Sequence, residues 1–346
     1  MEGEAASKPA PKRLRIVLLV PLVAALVAAW FLRDSIQGSL ASLRTGSFGD
    51  SVAFAQSTRG AFNGFDVSNA IIPTKEILSG GPGRDGIPSI DQPKFIRPNA
   101  ADFMQPDDLV VSLTIGGQTR AYPIRILVWH EIVNDELGGL PIAVTYCPLC
   151  GTAMVFSRQV GERTLTFGVS GMLYQSDVLM YDRQTESLWS QLAMKCVSGV
   201  QVNTPLEWLP SEHLTWSAWK TKYPTGEVLS TDTGAQRNYI GTAYAGYEQH
   251  PDTMFPVPTY RTELPKKEWV VGVMVDGAAR AYPIRSLPAN QALTDPANGA
   301  ALEITFDPIS QQAIVRRKTS GEVLPNVKVY WFAWQAFYPQ TTLWKP

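Results

Sequence analysis

Apolar positions run unbroken from Ile16 to Leu32, IVLLVPLVAALVAAWFL, 17 residues without a charge between Arg15 and Arg33. A helix needs about 20 such residues to cross about 30 Å of hydrocarbon, so this run lies at the short end of a spanning helix. Trp30 and Phe31 fall where aromatic rings favour the membrane interface. Lys8, Lys12, Arg13 and Arg15 hold residues 1–15 on the cytoplasmic side. Pro21 is tolerated in a membrane helix. The small residues Ala24–Ala29 leave a cleaved signal peptide as an alternative, and a buried soluble helix as a third. The pattern predicts a single-pass anchor over 16–32 in the lipid bilayer of the cell membrane. The rest of the chain is then extracytoplasmic, or periplasmic if there is an outer membrane.

After Arg33 the period changes. Ile36, Leu40, Leu43 and Phe48 share one helical face between Asp34 and Ser57, which predicts a stalk over 33–65 leading to a folded domain over 66–346. Ser79–Asp91, SGGPGRDGIPSID, must be a loop. Its Asp85 and Asp91 read first as turn carboxylates and second as site residues.

The folded part repeats itself. Val275–Leu287, VDGAARAYPIRSL, restates Ile115–Leu127, IGGQTRAYPIRIL, at an offset of 160. The offset continues without a gap, setting ITFDPISQQAIV (Ile304–Val315) against VTYCPLCGTAMV (Val144–Val155). A register held this long predicts two copies of one unit, near 108–158 and 268–318. Each copy reads as a strand, a turn at Gly117 or Gly277, a strand ending in Tyr-Pro, a short helical or irregular piece, and a further strand. With 26 Pro, 27 Gly, 10 Trp and 12 Tyr among 346 residues, the composition points the same way. The expected fold is α+β and β-rich. A net charge of −1 offers no basic surplus for phosphates and excludes nucleic acid as a partner.

The copies differ where chemistry can live. His130 stands opposite Asn290, Cys147 opposite Asp307 and Cys150 opposite Ser310, whereas Tyr122, Pro123, Ile124, Arg125 and Leu127 are shared. The shared residues read as framework, with Arg125 and Arg285 bonding a carbonyl or carboxylate at the same place in each unit. The private ones are the candidates. Two thiols spaced as in CPLCG serve a reversible disulfide or a metal. The following TAMVF reads as a strand, so the motif looks like a metal knuckle between strands and not a helix-capping redox motif. Cys196 is the only other cysteine, which excludes a closed four-cysteine site. It reads as a buried free thiol, with a resolving partner or third ligand as alternatives. An open site of Cys147, Cys150 and His130 suits copper or zinc. The competing reading of His130 is a hydrogen-bonded core residue. His213 and His250, in polar surroundings, read as surface residues.

WHEIVND, YCPLCGTA, FGVSGMLYQSDVLMYDRQTESLWSQ (Phe167–Gln191) and the late FPV together resemble the DUF3179 family over roughly residues 70–340. That family has no assigned activity. Some members are described as selenoproteins, so the resemblance implies a redox-active chalcogen at Cys147 or Cys150. Within the long motif, Tyr174, Tyr181, Asp182, Ser187, Trp189 and Gln191 read as a polar network bracing a sheet. Ser176 and Asp177 are the candidates there for a second catalytic patch. Three functions are thus expected in order. The first is a thiolate–imidazole metal-binding protein, the second a dithiol oxidoreductase cycling Cys147 and Cys150. The third is a scaffold or binding module with CPLC as a structural clip. A thiol or metal-exchange protein would be the partner of the first two.

Overall fold

The computed structural model describes residues 62–346. The expected anchor, and the stalk up to residue 61, lie outside them. Among the described residues no helix is long and apolar enough to cross a membrane.

The fold is β-rich with few helices, and among the described residues the longest α-helices are the seven-residue segments Ile124–His130, Trp216–Lys222 and Trp331–Phe337. Short strands bounded by Gly and Asn turns leave no room for longer ones. Five sheets hold three or more strands each. Two of them are built alike. In the first, Leu109–Ile115 pairs antiparallel with Gln118–Pro123 from Val110↔Pro123 to Ile115↔Gln118. In the second, Trp269–Val275 pairs with Ala278–Pro283 from Val270↔Pro283 to Val275↔Ala278. Every partnered residue recurs at the 160-residue offset.

The next strands keep that register. Ile132–Leu137, Leu140–Cys147 and Thr152–Ser157 form a meander with Val133↔Val144 and Cys147↔Thr152. Leu293–Ala297, Ala300–Asp307 and Gln312–Arg317 form another, with Leu293↔Ile304 and Asp307↔Gln312. A polar lock recurs too. Arg120 Nη1 and Tyr122 Oη donate to Asp135 at 2.9 and 2.6 Å, and Arg280 Nε and Tyr282 Oη donate to Asp295 at 2.9 and 2.7 Å. Burying a phenol against a charge-paired carboxylate satisfies both groups away from water. Arg125 reaches Asp108 at 2.7 Å, and Arg285 reaches Glu268 at 3.3 Å, so the paired arginines do meet a carboxylate at the same place.

A further correspondence has a different offset and was not visible in the Tyr-Pro motif. Glu212–Thr215 leads into the helix Trp216–Lys222, and Asn326–Tyr330 leads into Trp331–Phe337. Both strands lie antiparallel beside the matching hairpins, Leu214↔Val110 and Val329↔Val270. TWSAWKTKYP and YWFAWQAFYP share Trp216/Trp331, Ala218/Ala333, Trp219/Trp334, Tyr223/Tyr338 and Pro224/Pro339. The tryptophans at the first and fourth helical positions face the sheet and are buried in both.

Between the meander ending at Ser157 and the strand starting at Glu212 lies a sheet without such a counterpart. Its central hairpin, Phe167–Tyr174 with Asp177–Asp182, is flanked by Ile77–Ser79, Leu188–Ser190 and Lys195–Ser198. Its presence changes the neighbouring burial. Ala300–Asp307 alternates, with Leu302, Ile304 and Phe306 inward. Ile142–Cys147 is buried on both faces. One-sided and two-sided cover produce these two patterns.

Candidate functional site

Cys147 is the last residue of its strand and Thr152 begins the next, so Pro148–Gly151 make a four-residue turn. Gly151 has φ +65°, and a Cβ there would collide with the Trp269 ring, so glycine is required twice over. The turn is tied down from outside the meander. Tyr330 N donates to the Cys150 carbonyl at 3.0 Å, and Tyr247 Oη donates to the Leu149 carbonyl at 2.7 Å. The thiols therefore belong to the largest apolar core, among Trp189, Trp331 and Phe332.

The sheet without a counterpart completes the site. Its hairpin closes through Gln175 and Ser176, both at positive φ (53° and 64°), as a tight two-residue loop requires. Loop tips usually face water, but Ser176 is buried and its Oγ donates to the Phe255 carbonyl at 3.1 Å. The tip is pressed onto the cysteine turn. The Ser176 carbonyl accepts from Cys150 Sγ at 3.3 Å and from Cys147 Sγ at 3.7 Å. Asp177 follows, and one ligand atom from each of Cys147, Cys150 and Asp177 lies within 4.8 Å of the others. Asp177 Oδ2 accepts from Leu192 N at 3.0 Å, while the buried Oδ1 has no hydrogen-bond partner.

Burial sets the electrostatics. It raises the Asp177 carboxyl to about 7, against the pull of the Leu192 amide and the nearby thiols. It raises Cys147 above its ordinary value and Cys150 well above it, with Asp177 adding to both shifts. A neighbouring acid that sequence reasoning missed, Glu131, is raised to about 8 by burial and then by Asp177. Glu131 joins the helix Ile124–His130 to the next strand at φ +58°, an uncommon conformation for a side chain of this size. It lines a small cavity of about 50 Å³ with Leu149, Val178, Tyr244 and Phe255. The signal was available, because Glu131 is a carboxyl in an apolar run and stands opposite Gln291 at the 160 offset.

His130 is placed differently from the expected open site. Its Nδ1 lies 2.7 Å from the Pro88 carbonyl and its Nε2 2.7 Å from Tyr239 Oη. The carbonyl can only accept, which makes Nδ1 the donor and leaves the Nε2 lone pair to the tyrosine hydroxyl. Both nitrogens are thus occupied, and burial lowers the pKa of the ring. The two hydrogen bonds of His130 match the core reading, and the carboxylate that lies near both thiols is Asp177. Cys196 is buried on another strand, with its Sγ 3.3 Å from the Ser198 carbonyl and its thiol raised to about 12 by burial. His213, expected at the surface, is half-buried and lines a larger cavity, because its strand is covered by the second sheet pair. His250 is also half-buried, and its Nδ1 accepts from Asp252 N at 3.1 Å.

The rest of the long motif forms a network. Asp182 accepts from Thr185 N at 2.6 Å and Trp189 Nε1 at 2.9 Å. Gln191 bridges Thr152 and Thr145 at 2.8 Å each. Asp85 accepts from Tyr181 Oη at 2.5 Å, and Asp91 from Asn134 Nδ2 at 2.7 Å, so both loop acids are tied to neighbouring strands.

A family model described as a protein of unknown function, DUF3179, matches residues 84–324. The match spans more than two thirds of the chain, and the chain belongs to that family. No curated protein and no solved structure matches it.

Proposed function

We propose that this chain is a membrane-anchored, extracytoplasmic protein whose Cys147, Cys150 and Asp177 hold a copper or zinc ion. The observation that carries the reading is the closure of two thiols and a carboxylate within 4.8 Å, with Asp177 Oδ1 buried and unpartnered. A buried acceptor without a donor costs free energy, and a cation satisfies it. Two thiolate sulfurs suit either ion, and zinc also takes a carboxylate oxygen. The ion would give the core a Lewis-acidic centre. The chain supplies the ligands by releasing the thiol protons on loading, which makes uptake pH-dependent. The Ser176 carbonyl, already turned to both sulfurs, is a further donor at hand.

The framework supporting the site is read as two copies of one unit, near 108–158 and 268–318, of which the first keeps the chemistry. The equal registers and the repeated Arg–Tyr–Asp lock support this reading. The dithiol alternative has the same closeness of the two thiols in its favour. Closing them to a disulfide would release two protons and pass two electrons to a partner disulfide. Exchange needs an accessible thiolate, whereas both sulfurs are buried and burial holds both thiols protonated. Burial is no obstacle to an ion taken up as the chain folds.

Elemental analysis of the full chain, purified without chelator and, separately, refolded in the presence of zinc or cuprous ion, tests the reading. Stoichiometric metal is expected, lost in Cys147→Ser, Cys150→Ser and Asp177→Asn but kept in Asp307→Asn. A metal-free wild type, or both serine variants retaining full metal, overturns it.

A further inference from the structure

Behind the cysteine turn lies a cavity of about 530 Å³, partly walled by Tyr146, Pro148 and Gly151 and lined elsewhere by Trp269, His213 and Lys328. Its volume is that of a small-molecule site, and apolar walls with a few polar groups are the usual build of one.

Lys328 is the unusual member. It is half-buried, donates to Gln311 Oε1 at 3.1 Å and lies 4.9 Å from the Trp269 ring centroid. It joins no ion pair among the described residues. Burial drives its ammonium down to about 8. His213 stands near it, its imidazole held neutral by burial and by Lys328, with Ser211 Oγ 3.5 Å away as its hydrogen-bond partner. The other charges of the lining are committed or exposed. Arg125 is paired with Asp108 at 2.7 Å, and Asp107 and Glu248 are exposed. A partly desolvated cation beside a neutral hydrogen-bonding ring lacks only an anion.

The position has a second point of interest. His213 pairs with Val111, and Lys328 pairs with Val271, which stand 160 residues apart in the matching sheets. The cavity thus receives the two residues that occupy one register position in the two strand–helix segments. Where one offers an uncharged ring, the other offers a charge.

We propose that this cavity binds a small organic carboxylate with a flat or branched apolar body. Its carboxylate meets Lys328 and accepts from Gln311 or His213, and its body lies against Trp269, Tyr330 and Tyr146. The inference does not rest on the metal site.

Calorimetric titration of the full chain in detergent with benzoate and with its neutral analogue benzamide tests it. A charge-assisted hydrogen bond contributes about 1.5–3 kcal/mol, so benzoate should bind at least about tenfold more tightly than benzamide. Lys328→Met should weaken benzoate by a similar factor and leave benzamide unchanged, and added salt should weaken benzoate alone. Equal affinities for the two probes, absence of saturable binding, or unchanged benzoate binding in Lys328→Met overturns the proposal. The benzoate–benzamide comparison uses the wild type, so it decides the matter even if the variant does not fold.

Discussion

Two turns of this chain have one backbone plan and opposite surroundings. Cys147–Gly151 and Asp307–Gln311 each follow a ladder that ends in a pair, Cys147↔Thr152 or Asp307↔Gln312. Each places its last residue at positive φ, 65° at Gly151 and 60° at Gln311. Each offers its fourth carbonyl to the strand–helix segment of the other sheet pair, Tyr330 N to Cys150 and Thr215 N to Ser310. The first turn is covered, with Leu149 at 6% exposure, while its counterpart Ile309 is 83% exposed. The second turn satisfies itself, since Asp307 accepts from Ile309 N at 2.8 Å. The first depends on groups brought from far away, the Ser176 carbonyl and Asp177. The backbone of the turn therefore does not make the site. The site arises where the unmatched hairpin lands on it.

That contrast can be tested by changing both turns. Truncation should discriminate most. Leu149→Ala opens a hole in the core and is expected to cost about 2–4 kcal/mol, while Ile309→Ala should stay within about 0.5 kcal/mol, read by denaturant unfolding. Equal costs would show that the first turn is not covered as described.

A smaller effect is expected at the positive-φ residues. Gly151→Ala adds backbone strain and a collision with Trp269, for about 1–3 kcal/mol of destabilisation. Gln311→Gly relieves the positive-φ backbone but removes the acceptor of Lys328 and loosens the unfolded chain, so a net destabilisation of up to about 1 kcal/mol is expected. Melting temperatures of the pair measure the difference. If Gln311→Gly is as damaging as Gly151→Ala, the two turns are not alike in backbone demand.

The smallest effect concerns the capping strands. His213 is lowered to about 4 by burial and by Lys328, whereas an unfolded histidine titrates near its ordinary value. Between those values the unfolded chain binds the proton that the folded chain refuses, so stability falls as pH drops from about 6.5 towards 4. With allowance for its partial exposure, the loss is at most about 2 kcal/mol. Unfolding of wild type and His213→Gln at pH 7 and pH 4.5 should show an excess acid loss in the wild type. Parallel pH profiles would remove His213 from the cavity's electrostatics.

Reading the sequence went furthest where order along the chain and order in space coincide. The strands flanking Gly117 and Gly277, the strand after CPLCG and the framework role of Arg125 follow from neighbours a few residues apart. So does the loop before Asp91. The third group of the cysteine site does not. His130 precedes Cys147 by 17 residues and Asp177 follows it by 30, and spacing cannot tell which reaches it. That choice is made by the Gln175–Ser176 turn, which aims a buried tip at the thiols, and by Tyr239, which occupies the histidine from a segment more than a hundred residues away. Setting the two stretches side by side marks His130 as divergent, yet divergence there reports its hydrogen bonds to Pro88 and Tyr239. The same comparison one residue later, Glu131 against Gln291, singles out a buried acid beside the site. The second offset is faint in the sequence because its signature is two tryptophans on a helix, a pattern shared with ordinary core.

The hydrogen bond from Tyr330 to Cys150 also says something about time. A chain leaves the ribosome from its N-terminus at about 5–20 residues per second. Both cysteines emerge well before Tyr330, so on the order of ten seconds or more pass in which the cysteine turn exists without the strand that ties down its Cys150 carbonyl. The hairpin tip at Ser176 follows the cysteines within a few seconds, so the thiols meet that carbonyl long before residue 330 arrives. When residue 330 docks, the turn held between those two contacts is enclosed in the core.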